Sequence, residues 1–449
     1  MTTDARSARA ERLTERLRGL DADELTAIGD SDIGLAFRDG SLFLGDHGAE
    51  ELLDRFGSPL LVFDGDRLRS NAERVRSAFG RHFSDVRVCY ALKACYTPEV
   101  VRTLLDAGVG IEVMSDLELQ LAQAHGADGS VLCSNGIGRG DAYNRRTAAA
   151  APFLTVVDSE SDVDGLERFA TAERPLEVAV RVSPAASGSV YFDAAGSKLG
   201  SDAGDGSFSR VLRRCLASDR LKVVGLHAHQ LSHCADRELF AESVRGLAEV
   251  ATRVEREHSI RLDVIDIGGG WETRFLFERA GADLDEFARV AAEELSRLGH
   301  DITLVVEPGR WLVADAATAL CTVTGIKENS GRRWVIVDVG AELLIPLPEL
   351  VYPPVPVKLG PRPWLEYAVA DRTCDAQNVL CASAELPAPV IGDRLALLNC
   401  GAYTSVFASA WGHPLPTVLF REGGEVTEIF GSAGRAALWS TLHGVDVEQ

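Results

Sequence analysis

Val264-Ile265-Asp266-Ile267-Gly268-Gly269-Gly270 is an apolar run that ends abruptly in three glycines. Its β-branched residues favour a strand, and the glycines beyond it let exposed backbone N–H groups approach an anion with no Cβ in the way. By itself such a triplet also serves as a plain turn. The same grammar recurs along the chain, an apolar run followed by a residue able to do chemistry. Val86-Arg87-Val88-Cys89-Tyr90 leads to Lys93, Val223-Val224-Gly225-Leu226 to His227 and His229, and Thr303-Leu304-Val305-Val306 to Glu307. Further apolar runs at 153–157 and 176–180 alternate with helical stretches such as 240–257. Strand, helix, strand in this rhythm implies a parallel α/β domain. Several such units over about 250 residues fit a (β/α)8 TIM-like barrel, whose functional groups gather at the C-terminal ends of its strands.

The barrel is read over residues 41–315, preceded by a helical and strand extension over 1–40 and followed by a β-rich C-terminal domain over 316–449 to which residues 30–58 contribute. Residues 1–30 read as a charged helix, and 41–44 and 60–63 as short strands. Beyond 315 the helical patterns thin out. Trp334-Val335-Ile336-Val337-Asp338 and the stretches 393–398 and 417–420 read as strands between Pro and Gly turns. Residues 187–209, rich in Gly, Ser and Asp, form a candidate loop or lid.

At 449 residues the chain exceeds what one core usually organises, so two domains with room for a buried site are expected. Lys+Arg 46 against Asp+Glu 67 gives a net charge of −21, which opposes attraction to nucleic acid or an anionic membrane and favours small-molecule work. The nine cysteines are odd in number, scattered and never arranged C-x-x-C. They are expected as reduced thiols in the cytoplasm, with no metal site. No secretory leader or membrane span is read.

Lys93 lies in Tyr90-Ala91-Leu92-Lys93-Ala94, at the end of a strand, where a lysine can be desolvated and its amine made nucleophilic. In His227-Ala228-His229-Gln230-Leu231-Ser232, alternation turns both histidines to one side, yet no third metal ligand follows at suitable spacing. Stacking on a planar ring is the better functional reading, and a structural role stays open. In Glu307-Pro308-Gly309-Arg310 the carboxylate can keep a pyridinium nitrogen protonated and the arginine can meet a phosphate. The glycine-rich Gly136-Ile137-Gly138-Arg139-Gly140 lacks a dinucleotide-binding context.

Taken in order, Tyr-Ala-Leu-Lys-Ala at 90–94, His-Ala-His-x-x-Ser at 227–232, Gly-Gly-Gly at 268–270, Glu-Pro-Gly-Arg at 307–310, Cys-Asp at 374–375 and Gly-Ala-Tyr at 401–403 are jointly specific. The chain resembles the fold-type III pyridoxal-phosphate enzymes, specifically the ornithine/diaminopimelate/arginine decarboxylase family, from about residue 40 onward. Asp158, Arg181, Lys198-Leu199-Gly200 and Gly392-Asp393 add secondary matches. The resemblance implies pyridoxal 5'-phosphate as cofactor and decarboxylation of an amino acid or a derivative of one. It implies that Lys93 holds the cofactor covalently and that His229 stacks on its ring. Ser232, the backbone of Gly268, Gly269 and Gly270, Arg310 and Tyr403 would bind the phosphate, and Glu307 would pair with the pyridine nitrogen. It further implies a homodimer with shared sites, in which Cys374, the proton donor to Cα, and Asp375, a substrate contact, complete the neighbour's site.

Several positions depart from the family pattern. The arginine that grips a distal carboxylate in diaminopimelate decarboxylases is missing from 338–348, and Tyr352 is displaced. The usual Cys-Glu-Ser-Gly-Asp is Cys374-Asp375-Ala376-Gln377-Asn378, which resembles the ornithine-type arrangement with Glu349 as the counterpart of its second acid. Cys95 stands where Asn is common, Glu112 where Asp is common and Leu231 where Gly is common. These changes point to a divergent member, in specialised metabolism, acting on a modified or carrier-tethered amino acid. Two further readings are an amino-acid racemase, which needs acid/base groups on both ring faces, and a non-catalytic cofactor-binding regulatory protein. Glu307 argues against the first, and the second domain with Cys374-Asp375 against the other.

Overall fold

The computed structural model describes residues 19, 34–184, 197–345, 350–409 and 411–444. Apart from Gly19, the expected N-terminal helix lies outside the described residues, as do most of the first half of the expected loop and Glu349. Two compact units emerge, residues 69–312 and residues 1–68 with 313–449.

In the first unit eight parallel strands close on themselves: β1 (Asp85–Ala91), β2 (Gly110–Val113), β3 (Leu132–Ser134), β4 (Leu154–Val157), β5 (Leu176–Ser183), β6 (Leu221–His227), β7 (Val264–Asp266) and β8 (Thr303–Val306). Closure is completed by β8 on β1, where Val306 faces Val88, and by β4 on β5, where Val157 faces Val180. Strands of a barrel are covered on both faces, so they read as continuous apolar runs rather than alternating ones, and β4 is buried throughout. Cys89, Cys133, Leu154, Val156, Ala179, Val224 and Val305 make one buried cluster drawn from six of the strands.

The crossover helices start where side chains cap them. The Ser159 hydroxyl accepts from Asp162 N–H at the head of Glu160–Glu167. Asp236 accepts from Glu238 and Leu239 N–H at the head of Arg237–His258. Phe240, Val244, Leu247, Ala251 and Val254 recur every three or four residues along that helix and are buried. Phe240 stacks on Phe287 of Leu284–Leu295 at 4.4 Å. Burial of each large side chain in such a stripe stabilises by about 2 kcal/mol.

Three features differ from the sequence reading. Strands β2 and β3, four and three residues long, carry too little periodicity to be read without their neighbours. The end of the expected loop is ordered, with Ser201–Asp202 pairing alongside Val182 and Ser183 and Ser207–Leu216 forming a helix. The barrel unit begins near 69 rather than 41, because Leu60–Asp64 gives its backbone to Ala317–Asn329 and Thr417–Glu422 in the second unit.

The second unit is built on a mixed nine-stranded sheet, running along its main path through Val379–Pro387, Trp364–Asp371, Arg332–Val337, Ala317–Asn329, Leu60–Asp64, Thr417–Glu422 and Glu425–Phe430. A small antiparallel sheet of Leu35–Arg38, Ser41–Leu44 and His47–Gly48 accompanies it. Arg421 sits directly across from Asp64 in the ladder, with Nη2 2.5 Å from Oδ2 and both side chains largely buried. Removing one partner of such a pair strands the other charge. Arg421→Ala is therefore expected to lower the stability of this unit by about 3 kcal/mol, read as a fall in the urea midpoint of the sheet's unfolding.

Candidate active site

The C-terminal ends of the barrel strands bring the singled-out residues of this unit together. β1 tightens into a turn of 3₁₀ helix, Leu92–Ala94, pinned by the Tyr90 hydroxyl donating to Cys95 O at 3.0 Å. This presents Lys93 at the mouth, its Nζ 2.6 Å from Oε2 of Glu112, the third residue of β2. Glu112 is itself buried. Burial pushes its carboxyl up to about 7 even though the Lys93 ammonium pulls it down. Just beyond β2, buried Glu118 accepts from Met114 N–H at 2.8 Å and from the Tyr96 hydroxyl at 3.0 Å.

Glu307 follows β8 and is buried. Asn135 Nδ2 donates to its Oε1 at 3.4 Å, His227 Nε2 lies 3.3 Å from its Oε2, and the Cys133 thiol is 3.8 Å from Oε1. Asp266, Cys133 and Glu307 place ligand atoms within 4.8 Å of one another. Two carboxyls this close in a water-poor interior do not both ionise. Burial, then the charge of Glu307, lifts Asp266 far above the ordinary carboxyl range. Burial also acts to raise Glu307, but His227, and beyond it Lys93 and His229, outweigh burial and hold it below that range. Glu307 is thus the ionised member and Asp266 carries the proton. Burial pushes His227 down toward its neutral form. We assign Nε2 as the protonated nitrogen facing Glu307, since Nδ1 meets no partner among the described residues. His229 is pushed down to about 3 by burial and then by Lys93, and its Nδ1 accepts from Gly269 N–H at 3.1 Å.

The glycine run is more constrained than a bare cradle. A Cβ at Gly269 would fall 2.1 Å from Glu307 O, and one at Gly270, where φ is +84°, would fall 2.0 Å from Leu231 O. Only glycine fits between β6, β7 and β8 here. The Gly268 N–H donates to Asp266 Oδ1 at 2.8 Å and the Gly269 N–H to His229, so two of the three amides expected to serve a phosphate are used inside the protein. The Gly270 N–H meets no acceptor among the described residues. Ser232 and Arg310 stand half-buried beside the same strand ends. Asp158 after β4 accepts from Gly200 N–H at 2.7 Å and lies 3.7 Å from Arg181 Nε, which ties down the ordered part of the long loop.

The other singled-out residues belong to the second unit. Tyr403 has φ +58° and stacks on Phe407 at 6.2 Å. Cys374 is exposed on a turn organised by buried Asp371, which accepts from Thr373 N–H at 3.1 Å, Asn378 Nδ2 at 2.6 Å and Ala341 N–H at 3.0 Å. The Asp375 Oδ1 accepts from Gln377 N–H at 2.9 Å, so part of its bonding capacity is spent on the turn. Sequence reasoning passed over Asn135, Cys133 and Asp266 as site residues. Asp266 had a signal, an acid just before a glycine triplet; the other two had none.

An amine at one strand end, an ionised buried carboxylate on the neighbouring strand, a neutral imidazole and a glycine-lined turn with an open amide fit a phosphorylated pyridine aldehyde. These features define a barrel enzyme of pyridoxal phosphate. Comparison with known proteins agrees. Residues 66–314 match the pyridoxal binding domain of the pyridoxal-dependent decarboxylases. The chain is 31% identical over 395 residues to the diaminopimelate decarboxylase of Methanothermobacter thermautotrophicus, covering 86% of this chain and 91% of that one. It is 32% identical over 385 residues to that of Deinococcus radiodurans, covering 84% and 93%. Among solved structures, diaminopimelate decarboxylase from M. jannaschii in complex with L-lysine superposes with a TM-score of 0.81 at 23% identity, over 92% of this chain and 98% of the other. Lysine/ornithine decarboxylase from Vibrio vulnificus with cadaverine gives 0.70 at 24% identity, over 83% and 97%. The chain belongs to the pyridoxal-dependent decarboxylase family and is a carboxy-lyase that removes carbon dioxide from an amino acid or a derivative with pyridoxal phosphate.

The proton on Glu112 makes stability depend on pH. Between the ordinary 4.5 and about 7, the folded chain holds a proton that the unfolded chain has lost, so this residue's contribution to stability falls as pH rises through that window. For cofactor-free protein, the stability of the parent minus that of Glu112→Gln is expected to drop by on the order of 2 kcal/mol across it. Urea midpoints taken on either side of the window check this, and a constant difference would contradict the assignment.

Proposed function

We propose that Lys93, Glu307 and Cys374 carry the reaction, in a homodimer whose active sites are shared. Lys93 holds the cofactor through its amine and takes it back after turnover, with the Glu112 carboxyl 2.6 Å from that amine. When bound, pyridoxal phosphate supplies the electron sink into which the broken Cα–carboxylate bond empties. Glu307, kept ionised by the contacts that leave Asp266 protonated, holds a proton on the pyridine nitrogen. His229, neutral and oriented by the Gly269 amide, packs against the ring. Ser232, the Gly270 amide, Arg310 and Tyr403 take the phosphate. Cys374 of the second subunit returns a proton to Cα, and Asp375 beside it contacts the substrate. The observation that carries this reading is the pairing of Lys93 and Glu112 at 2.6 Å at the mouth of the barrel, next to an ionised and buried Glu307.

For the substrate, the relatives' names offer diaminopimelate, lysine and ornithine. No arginine lies between Asp338 and Tyr352, and an acid follows Cys374. Both features favour an amino acid whose far end is cationic or masked, including one attached to a carrier, over a free distal carboxylate. Nine cysteines, all unpaired, support work in the reducing cytoplasm. No helix among the described residues is long and apolar enough to cross a membrane.

The test is to incubate purified protein with diaminopimelate, lysine, ornithine, arginine and their side-chain-acylated derivatives while following carbon dioxide and chirality. Carbon dioxide with a distally cationic or acylated substrate is expected; inversion without carbon dioxide would favour a racemase. Lys93→Ala should lose both the cofactor's visible absorbance and turnover, and an unchanged spectrum would remove Lys93 from its role. Mixing Lys93→Ala with Cys374→Ala should restore about a quarter of the parent activity, since half the mixed molecules are hybrids with one intact site. No recovery after subunit exchange would argue that each chain completes its own site.

A further inference from the structure

The loops that follow β6 and β7 are stitched together just past the glycine run. The Cys234 N–H donates to Gly270 O at 2.9 Å, and the Glu272 N–H donates to Cys234 O at 3.1 Å. Gly270 is packed so closely on Leu231 that no Cβ fits. Between these strands of contact lies a side-chain pair. His233 Nδ1 is 3.3 Å from both oxygens of Glu272, with the two side chains only 4% and 2% exposed. Glu272 Oε1 also accepts from Thr273 N–H at 2.7 Å, which fixes the carboxylate on its own loop.

His233 adopts φ +52°, in the left-handed region. A residue with a Cβ is strained there, and the strain persists only when the surroundings hold it. A glycine would sit there without strain and would have no side chain to reach Glu272. A strained, buried histidine on one loop facing a buried acid on the next lies one residue from Ser232 on its own loop and two residues from Gly270 on the other.

We propose that the His233–Glu272 pair is a positioning device for the cofactor's phosphate, bolting the loop that carries Ser232 to the loop that carries the open Gly270 amide. Both groups contribute a donor only if the two loops keep their spacing. Main-chain bonds link the loops at 234 and 272, and the side-chain pair adds a buried link at 233. The pair acts through Ser232 and the Gly270 amide, so its effect is confined to ligands that carry a phosphate. The inference rests on the reading above, in which Ser232 and Gly270 bind phosphate.

The test compares binding of pyridoxal 5'-phosphate with that of pyridoxal, which lacks the phosphate, to the cofactor-free full chain by absorbance titration. His233→Gly, which also relieves the backbone, and Glu272→Leu are each expected to weaken pyridoxal phosphate about tenfold while leaving pyridoxal within about twofold. The double variant should be no weaker than the worse single one, the mark of residues acting as a unit. Glu272→Gln, which keeps an acceptor, should recover most of the loss. Unchanged affinity for pyridoxal phosphate in His233→Gly overturns the proposal, as does an equal loss for both ligands, which would reduce the pair to a fold contact. Should Glu272→Leu fail to fold, His233→Gly with Glu272→Gln decides it. If the parent binds pyridoxal as tightly as its phosphate, the phosphate seat itself is wrong and the proposal falls with it, an outcome distinct from failure of the variants alone.

Discussion

A single negative charge inside a barrel dictates how the mouth of this protein is arranged. An unpaired carboxylate in a dry interior is destabilising by several kcal/mol, so Glu307 exists only because its surroundings accept it. Asn135 and His227 face its two oxygens, and Asp266, close enough to compete, stays protonated instead. In the function proposed above, the cation that Glu307 would meet is the cofactor's pyridinium. On the adjacent strand β1 the opposite arrangement is found, an ammonium with its own buried acid in Glu112. The mouth therefore presents a buried carboxylate and an amine–carboxyl pair at the ends of neighbouring strands, which in the proposed function would take the cofactor's ring and aldehyde.

The glycine run is set by steric means. Glycine at 269 and 270 is required because the backbone of the neighbouring segments comes within about 2 Å of any Cβ, and the amides of 268 and 269 are turned inward to hold Asp266 and His229. The run that reads as a phosphate loop is thus a support of Asp266 and His229. In the proposed function this would couple the two ends of the cofactor, since the Gly269 amide that orients His229 is adjacent to the Gly270 amide.

The departures from the family pattern at 338–348 and 374–378 lie in the second unit. The Cys374 turn is held by Asp371, at the end of its strand, which accepts from the Thr373 N–H and hydroxyl, Asn378 Nδ2 and the Ala341 N–H. In the function proposed above, the identity of Asp375 and the lack of an arginine before Tyr352 would change what is recognised without altering that turn.

Much of this was legible in the chain itself. Strands buried on both faces leave unbroken apolar runs, so β1, β4, β5, β6, β7 and β8 were visible, and a lysine, a histidine pair, a glycine triplet and an acid each placed directly after such a run announced a barrel site. Strands β2 and β3 were not, because three or four residues hold no periodicity of their own. The allegiance of Leu60–Asp64 was equally hidden: a strand joins whichever ladder offers its backbone partners, and those partners lie far along the sequence. Residue types and their order determined the cofactor and the class of reaction. Which acid keeps its proton, which amides remain open and which histidine faces which carboxylate were decided by tertiary structure alone, since these depend on burial and on distances between loops that the linear order does not contain.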